Sequence, residues 1–139
     1  MAEVKNYSGL FQVKSPGAVL ALKTANDVQT VGLVGQKCRI VSVYAVVMEA
    51  IKCATTQAVV DIGTASDPDK YVDGWEPEDN ALVDSILECP AAKIDAAVAK
   101  RLLDADDTII AKVVTAGAEG GAETGTLIVV LELATEGAT

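Results

Sequence analysis

Cys38-Arg-Ile-Val-Ser-Val-Tyr-Ala-Val-Val-Met-Glu-Ala-Ile51 is the stretch that decides the fold. In an extended chain, Ile40, Ser42, Tyr44, Val46 and Met48 share one face, and Val41, Val43, Ala45 and Val47 share the other. Both faces are largely apolar, and the many β-branched residues argue against a helix. The pattern predicts a central strand buried on both sides, not an exposed edge.

The flanking segments carry the same texture. Gln57 to Gly63 reads as a strand, and the short Ala54-Thr-Thr connection predicts a hairpin with the long strand. Ala18 to Lys23 is a strand ended by the turn residues Asn26-Asp27, and Val28 to Val34 is another, broken at Gly32. Ala81 to Leu87 is extended and closed by Cys89-Pro90. Ile94, Val98 and Leu102 recur every four residues after Pro90, which predicts a short helix or turn over Ala91–Ala97, followed by a strand. Asp104–Asp107 is a turn. Thr108–Val114 and Gly125–Leu133 are strands joined by a Gly-rich spacer, read as a mobile hairpin loop. Closely spaced strands with no βαβ rhythm make an all-β sandwich or barrel. The domain spans residues 18–139, preceded by an extended N-terminal arm over residues 1–17. Leu10, Phe11 and Val13 give that arm an apolar set for docking on a partner surface; the alternative is an ordinary first strand.

Composition narrows the function. The chain has 139 residues, half of them hydrophobic, which suits one domain with a sizeable core. It has one Phe and one Trp, too few for the stacking platforms of a lectin or a single-strand binder. A net charge of −9 gives no electrostatic reason to approach nucleic acid or an anionic membrane. Histidine is absent, so no Ser-His or Cys-His pair and no His-containing zinc site can form. Cys38, Cys53 and Cys89 are odd in number and lack a C-x-x-C, so neither a disulfide framework nor a zinc clasp is signalled; Cys38 and Cys53 lie in apolar stretches and read as small buried hydrophobes, in a reducing compartment. The first residues lack the apolar core of a secretory signal, and no stretch has the uninterrupted apolar length of a membrane span, so synthesis in a cytoplasm and a soluble product are expected. The expected class is non-enzymatic, with no cofactor and no catalytic residue.

The acidic connection Asp67-Pro-Asp-Lys-Tyr-Val-Asp-Gly-Trp-Glu-Pro-Glu-Asp79 is the one place where chemistry is conceivable. Crowded carboxylates could hold calcium, but the spacing is wrong for an EF-hand loop: Pro68 sits inside the motif and Lys70 and Tyr71 follow where further ligands are wanted. The simpler reading has Asp67 capping a helical turn, Pro68 in its first position and Asp69 complementing its dipole, with no metal. Tyr71 and Trp75 are candidate anchors for a partner; the alternative is that Trp75 folds back over the end of the core.

Taken together, Pro16-Gly-Ala-Val-Leu-Ala-Leu22, the Cys38–Ile51 strand, Val59-Val-Asp-Ile-Gly-Thr-Ala-Ser-Asp-Pro-Asp-Lys-Tyr-Val72 and Asp106-Asp-Thr-Ile-Ile-Ala-Lys-Val-Val114 resemble β-sandwich proteins of tailed-phage virions. The resemblance implies a jelly-roll-like sandwich, often trimeric, serving as a capsid decoration (cement) protein or a head-proximal fibre module. It implies a homotrimer that binds the major capsid protein on the exterior of an assembled head, and it carries no catalytic residue. The rival is a jelly-roll binding module on a fibre or tail that takes a saccharide or a calcium-dependent ligand through the 64–80 and 117–125 loops.

Overall fold

The computed structural model describes residues 10–15, 17–33, 38–95, 102–103, 108–121 and 124–136. Ten strands occur among them: β1 (Leu10–Lys14), β2 (Ala18–Ala21), β3 (Val28–Leu33), β4 (Cys38–Lys52), β5 (Val59–Gly63), β6 (Val72–Trp75), β7 (Ile86–Glu88), β8 (Leu102–Leu103), β9 (Thr108–Thr115) and β10 (Thr124–Glu136). Every pairing is antiparallel. One sheet has the order β1-β10-β4-β7, with β2 also on β10 and β8 also on β4; the other has the order β3-β9-β5-β6.

The pairings nest. β5 pairs with β6 at the tip, β4 with β7 and β8, β3 with β9, and β2 and β1 with β10. The chain is therefore one long two-stranded ribbon whose successive sections alternate between the two sheets. The β4–β10 and β5–β9 pairings close the sections into sheets. This is the wrap of a jelly roll, and the all-β sandwich expectation holds. Each outer position of the larger sheet is filled by two short strands end to end, so that sheet is four strand positions wide.

β10 and β4 form the spine of the larger sheet, and the register explains why β4 does not alternate cleanly. Leu133 pairs with Ile40 while Glu132 pairs with Ser42, so Val41 is an extra residue; Leu127 pairs with Val47 while Thr126 pairs with Glu49, so Met48 is another. Each bulge switches which parity faces inward. Cys38 and Ile40 are buried before the first and Val43, Ala45 and Val47 between the two; a third irregularity, between Thr124 and Thr126, restores the parity on which Ile51 is buried. The two inserted residues, Val41 and Met48, are pushed out to solvent.

Several expectations need correction. β4 is central, as predicted, but among the described residues no second layer lies over its other face, so one face only is buried. The expected β4–β5 hairpin is instead a crossover between sheets. Thr55 and Thr56 donate their N–H groups to the Ala118 carbonyl, and the Cys53 N–H is held by the Asp79 carboxylate at 2.8 Å, so the connection is pinned away from β4. The Gly-rich spacer likewise joins β9 of one sheet to β10 of the other. Its Gly117 N–H donates to the Leu22 carbonyl, and a methyl on Gly117 would collide with Cys53. The short helix or turn expected from Ala91 is present as a single 3₁₀ turn, Ala91–Lys93, after which Ile94 is buried and bridges Val72. Residues 96–101 and the Asp104–Asp107 turn lie outside the described residues.

Branched aliphatics from both sheets fill one continuous core: Leu20, Leu22, Ile40 and Leu131 from the larger sheet meet Val60, Ile62, Ile109 and Val113 from the smaller. Packing of this kind needs few aromatics, which agrees with the composition.

Candidate functional site

The two sheets turn very different outer surfaces to solvent. On the larger sheet, cross-strand register puts Val19, Ile128, Val46 and Ile86 in a single row spanning all four strand positions. The next row holds Val130, Tyr44 and Glu88, and the one beyond holds Glu132 and Ser42, whose hydroxyl donates to Glu132 Oε1 at 3.2 Å. Val19 is 56% exposed, Met48 51% and Ile86 69%, while Tyr44, Val46, Ile128 and Val130 are half-buried by their neighbours alone. Val41, Ser42, Tyr44, Ile86, Glu88 and Glu132 line a shallow groove of about 540 Å³. Gly17, at φ 93°, lies so close to Ile128 that a methyl there would press on its side chain; the chain thus turns into β2 without covering the row.

The smaller sheet carries the acidic residues. Carboxylate oxygens of Asp61 on β5, Asp73 on β6 and Asp69 in the preceding turn all lie within 4.8 Å of one another. Gly63 brings them together: the Asp67–Lys70 turn folds so tightly over it that an added methyl would overlap the Asp67 carbonyl oxygen. This turn is closed by Lys70 N–H to the Asp67 carbonyl and Asp67 N–H to Thr64; it is not the helical turn expected. Burial pushes the Asp61 carboxyl above its ordinary range; the Gly74 N–H, donating at 2.8 Å, opposes that shift, while repulsion from Asp73 and Asp69 adds to it. Calcium takes six to eight oxygens. Three carboxylates, one already engaged by Gly74, make at most part of such a shell. The rest of the acidic stretch separates from the trio, and Asp79 braces Cys53, a bond that holds the Asp79 carboxyl below its usual range.

Tyr71 and Trp75, the candidate partner anchors, are 0% and 2% exposed. Trp75 pairs with Val60 across β5 and β6, and the Tyr71 N–H donates to the Ile62 carbonyl, with the Lys70 ammonium 5.3 Å from the Tyr71 ring centroid. Both rings close the core beneath the smaller sheet, because rings of this size bury more apolar area there than a polar loop could offer them. They are core residues here, not surface anchors. Leu10, Phe11 and Val13 lie on β1, their backbones paired with Glu136, Thr135 and Leu133 at the edge of the larger sheet. The structure therefore does not bring the two predicted sets together. Residues 1–9 of the proposed arm, and the side chains of Leu10, Phe11 and Val13, lie outside the described residues.

All three cysteines are buried and free. Burial pushes each thiol up, that of Cys89 to about 12, so none is poised as a nucleophile at neutral pH. The row of outward aliphatics on the larger sheet was not singled out from sequence. The signal for it was present: Cys38–Ile51 is apolar on both faces, and only one face was needed for the core.

No family model matches the chain, and no curated protein matches it. Among solved structures, the chain is similar to one from the "Cyanophage Pam1 capsid asymmetric unit". The TM-score is 0.58 at 13% identity, and the likeness covers 97% of this chain and 92% of that one. The two share a fold over nearly their whole lengths.

Proposed function

We propose that this chain is a non-enzymatic structural protein of a tailed-phage virion. In this reading it is a decoration (cement) subunit, a homotrimer bound to the major capsid protein on the exterior of the assembled head. The observation that carries the reading is the shared jelly-roll fold, end to end, with a chain from a phage capsid asymmetric unit. The composition supports it: no histidine, no activated thiol, an aliphatic core and a net charge of −9 suit a protein that sits on a surface and does no chemistry. The test is antibody labelling of intact virions of the phage that encodes the chain. Labelled heads are expected. Virions that lack the chain altogether, or that carry it on tails alone, refute the decoration role.

The Asp61–Asp69–Asp73 trio favours a second reading, a binding module that takes a calcium-dependent ligand. It is the weaker one, because the aromatic residues such a module would offer a saccharide, Tyr71 and Trp75, are inside the core.

A further inference from the structure

The outer face of the larger sheet is more apolar than a lone subunit needs. Single exposed aliphatics are ordinary on any surface. Four of them aligned in one row across a sheet, flanked by Val130, Tyr44 and the two bulge residues Val41 and Met48, are a contiguous patch of the kind that marks an interaction surface. We infer that a second copy of this chain covers that face, with Val19 and Ile128 of one copy packed on Val46 and Ile86 of the next.

Three observations favour another copy over a different partner. First, the row consists of valine and isoleucine, the same residues that fill the core, and interfaces between permanently associated copies resemble a core cut in two. Aromatic and arginine anchors, the usual hot spots of a docking site for a foreign partner, are confined on the described face to Tyr44 and the peripheral Arg39. Second, the size fits: four strand positions at about 4.8 Å spacing and roughly 30 Å of strand give about 600 Å² per copy, the lower end for a specific pairwise interface and, divided between two neighbours in a trimer, about 1,800 Å² buried in all. Third, the rows are self-complementary. About a threefold axis running along the strands, each row stays at one height, so the apolar row of each copy meets the apolar row of the next. The Ser42–Glu132 row then meets its like towards one end, where water reaches the carboxylates. The subunit count rests on the decoration-protein reading, but the burial of the face does not.

The test uses the purified chain alone, so its failure is distinguishable from failure to bind heads. Sedimentation equilibrium of the wild-type chain should give a mass that is a multiple of 14.3 kDa. Val46→Glu and Ile86→Glu should each weaken association at least about 100-fold, because each would bury an unpaired carboxylate. Val114→Glu, on the outer face of the smaller sheet, should leave association unchanged. Positions 19 and 86 lie at opposite edges of one sheet, too far apart for a disulfide within a copy. Oxidised Val19→Cys/Ile86→Cys protein should therefore form covalent links between copies, even if a glutamate variant fails to fold. Added salt should tighten association, since the copies are alike in charge. Four results overturn the inference: a monomeric wild type, glutamate variants that are folded and still assembled, no cross-link, or association that weakens with salt, as it would if opposite charges rather than the apolar row held the copies together.

Discussion

The two outer faces of this sandwich are built from the same kind of strand and differ in character. Over β10 and β4 the outward positions run through Ile128, Val130, Val46 and Tyr44 before reaching Glu132 and Ser42. On the smaller sheet Val28 and Val114 are exposed too, but Val28 shares its row with Lys112 and Asp61, and Asp73 lies beside them on β6. Both sheets cover the same core, so stability of the single chain does not require the difference. Under the inference drawn above, one face meets water and the other a second copy of the chain. A shell protein needs that asymmetry, because it must be held on one side and remain soluble on the other.

The sharpest way to break this contrast is to move a charge three residues along β4. Val43 is fully buried between the sheets, and Val43→Asp should cost roughly 4 kcal/mol or more and prevent folding. Val46→Glu on the opposite face should fold, with an unchanged far-UV spectrum. If both variants unfold, or both fold with the wild-type midpoint, the assignment of inner and outer faces is wrong.

A smaller effect is expected at Gly63, which holds the acidic side in shape. Gly63→Ala should destabilise by about 3 kcal/mol, because backbone atoms of the Asp67–Lys70 turn cannot yield to the methyl. A thermal melt within a degree or so of wild type would show that the turn is looser than described.

Asp61→Asn should have the smallest effect, and of opposite sign. The Asp61 carboxyl is raised above its unfolded value, so its contribution to stability is complete below the unfolded pKa and is lost as pH rises through the folded one. At neutral pH the charge is therefore a burden, screened because the group is partly open to water. An asparagine can still accept from the Gly74 N–H. The variant should melt about 1 °C higher at neutral pH, for a gain of a few tenths of a kcal/mol, with the gap closing towards the unfolded pKa near 4. A lower midpoint at neutral pH would mean that the carboxylate is held by something it binds.

Much of the fold was legible because hydrophobic pattern and turn chemistry are local. β2 to β5, β9 and β10 fall where Val, Ile and Ala alternate between Gly, Asn and Asp. What was not legible was which strands meet. Neither the Ala54-Thr-Thr connection nor the 117–125 spacer shows on its face that it crosses between sheets; that depends on Thr56 finding Ala118 and on Gly117 fitting against Cys53, contacts between segments about sixty residues apart. β6 was hidden inside an acidic stretch, where Asp73 and Gly74 masked the inward Val72 and Trp75. The outward row on the larger sheet was missed for a related reason: three register shifts against β10 change the parity of β4, so neither face of the sequence pattern maps onto one face of the sheet.

The central claim is that this chain is a part of a virion shell, and co-sedimentation tests it most directly. Heads of the encoding phage, stripped of their minor proteins, would be mixed with the purified chain and pelleted over a range of concentrations. The account predicts saturable pelleting at a fixed number of copies per head. Chain that stays in the supernatant at every concentration, with the heads intact and the chain folded, would contradict it.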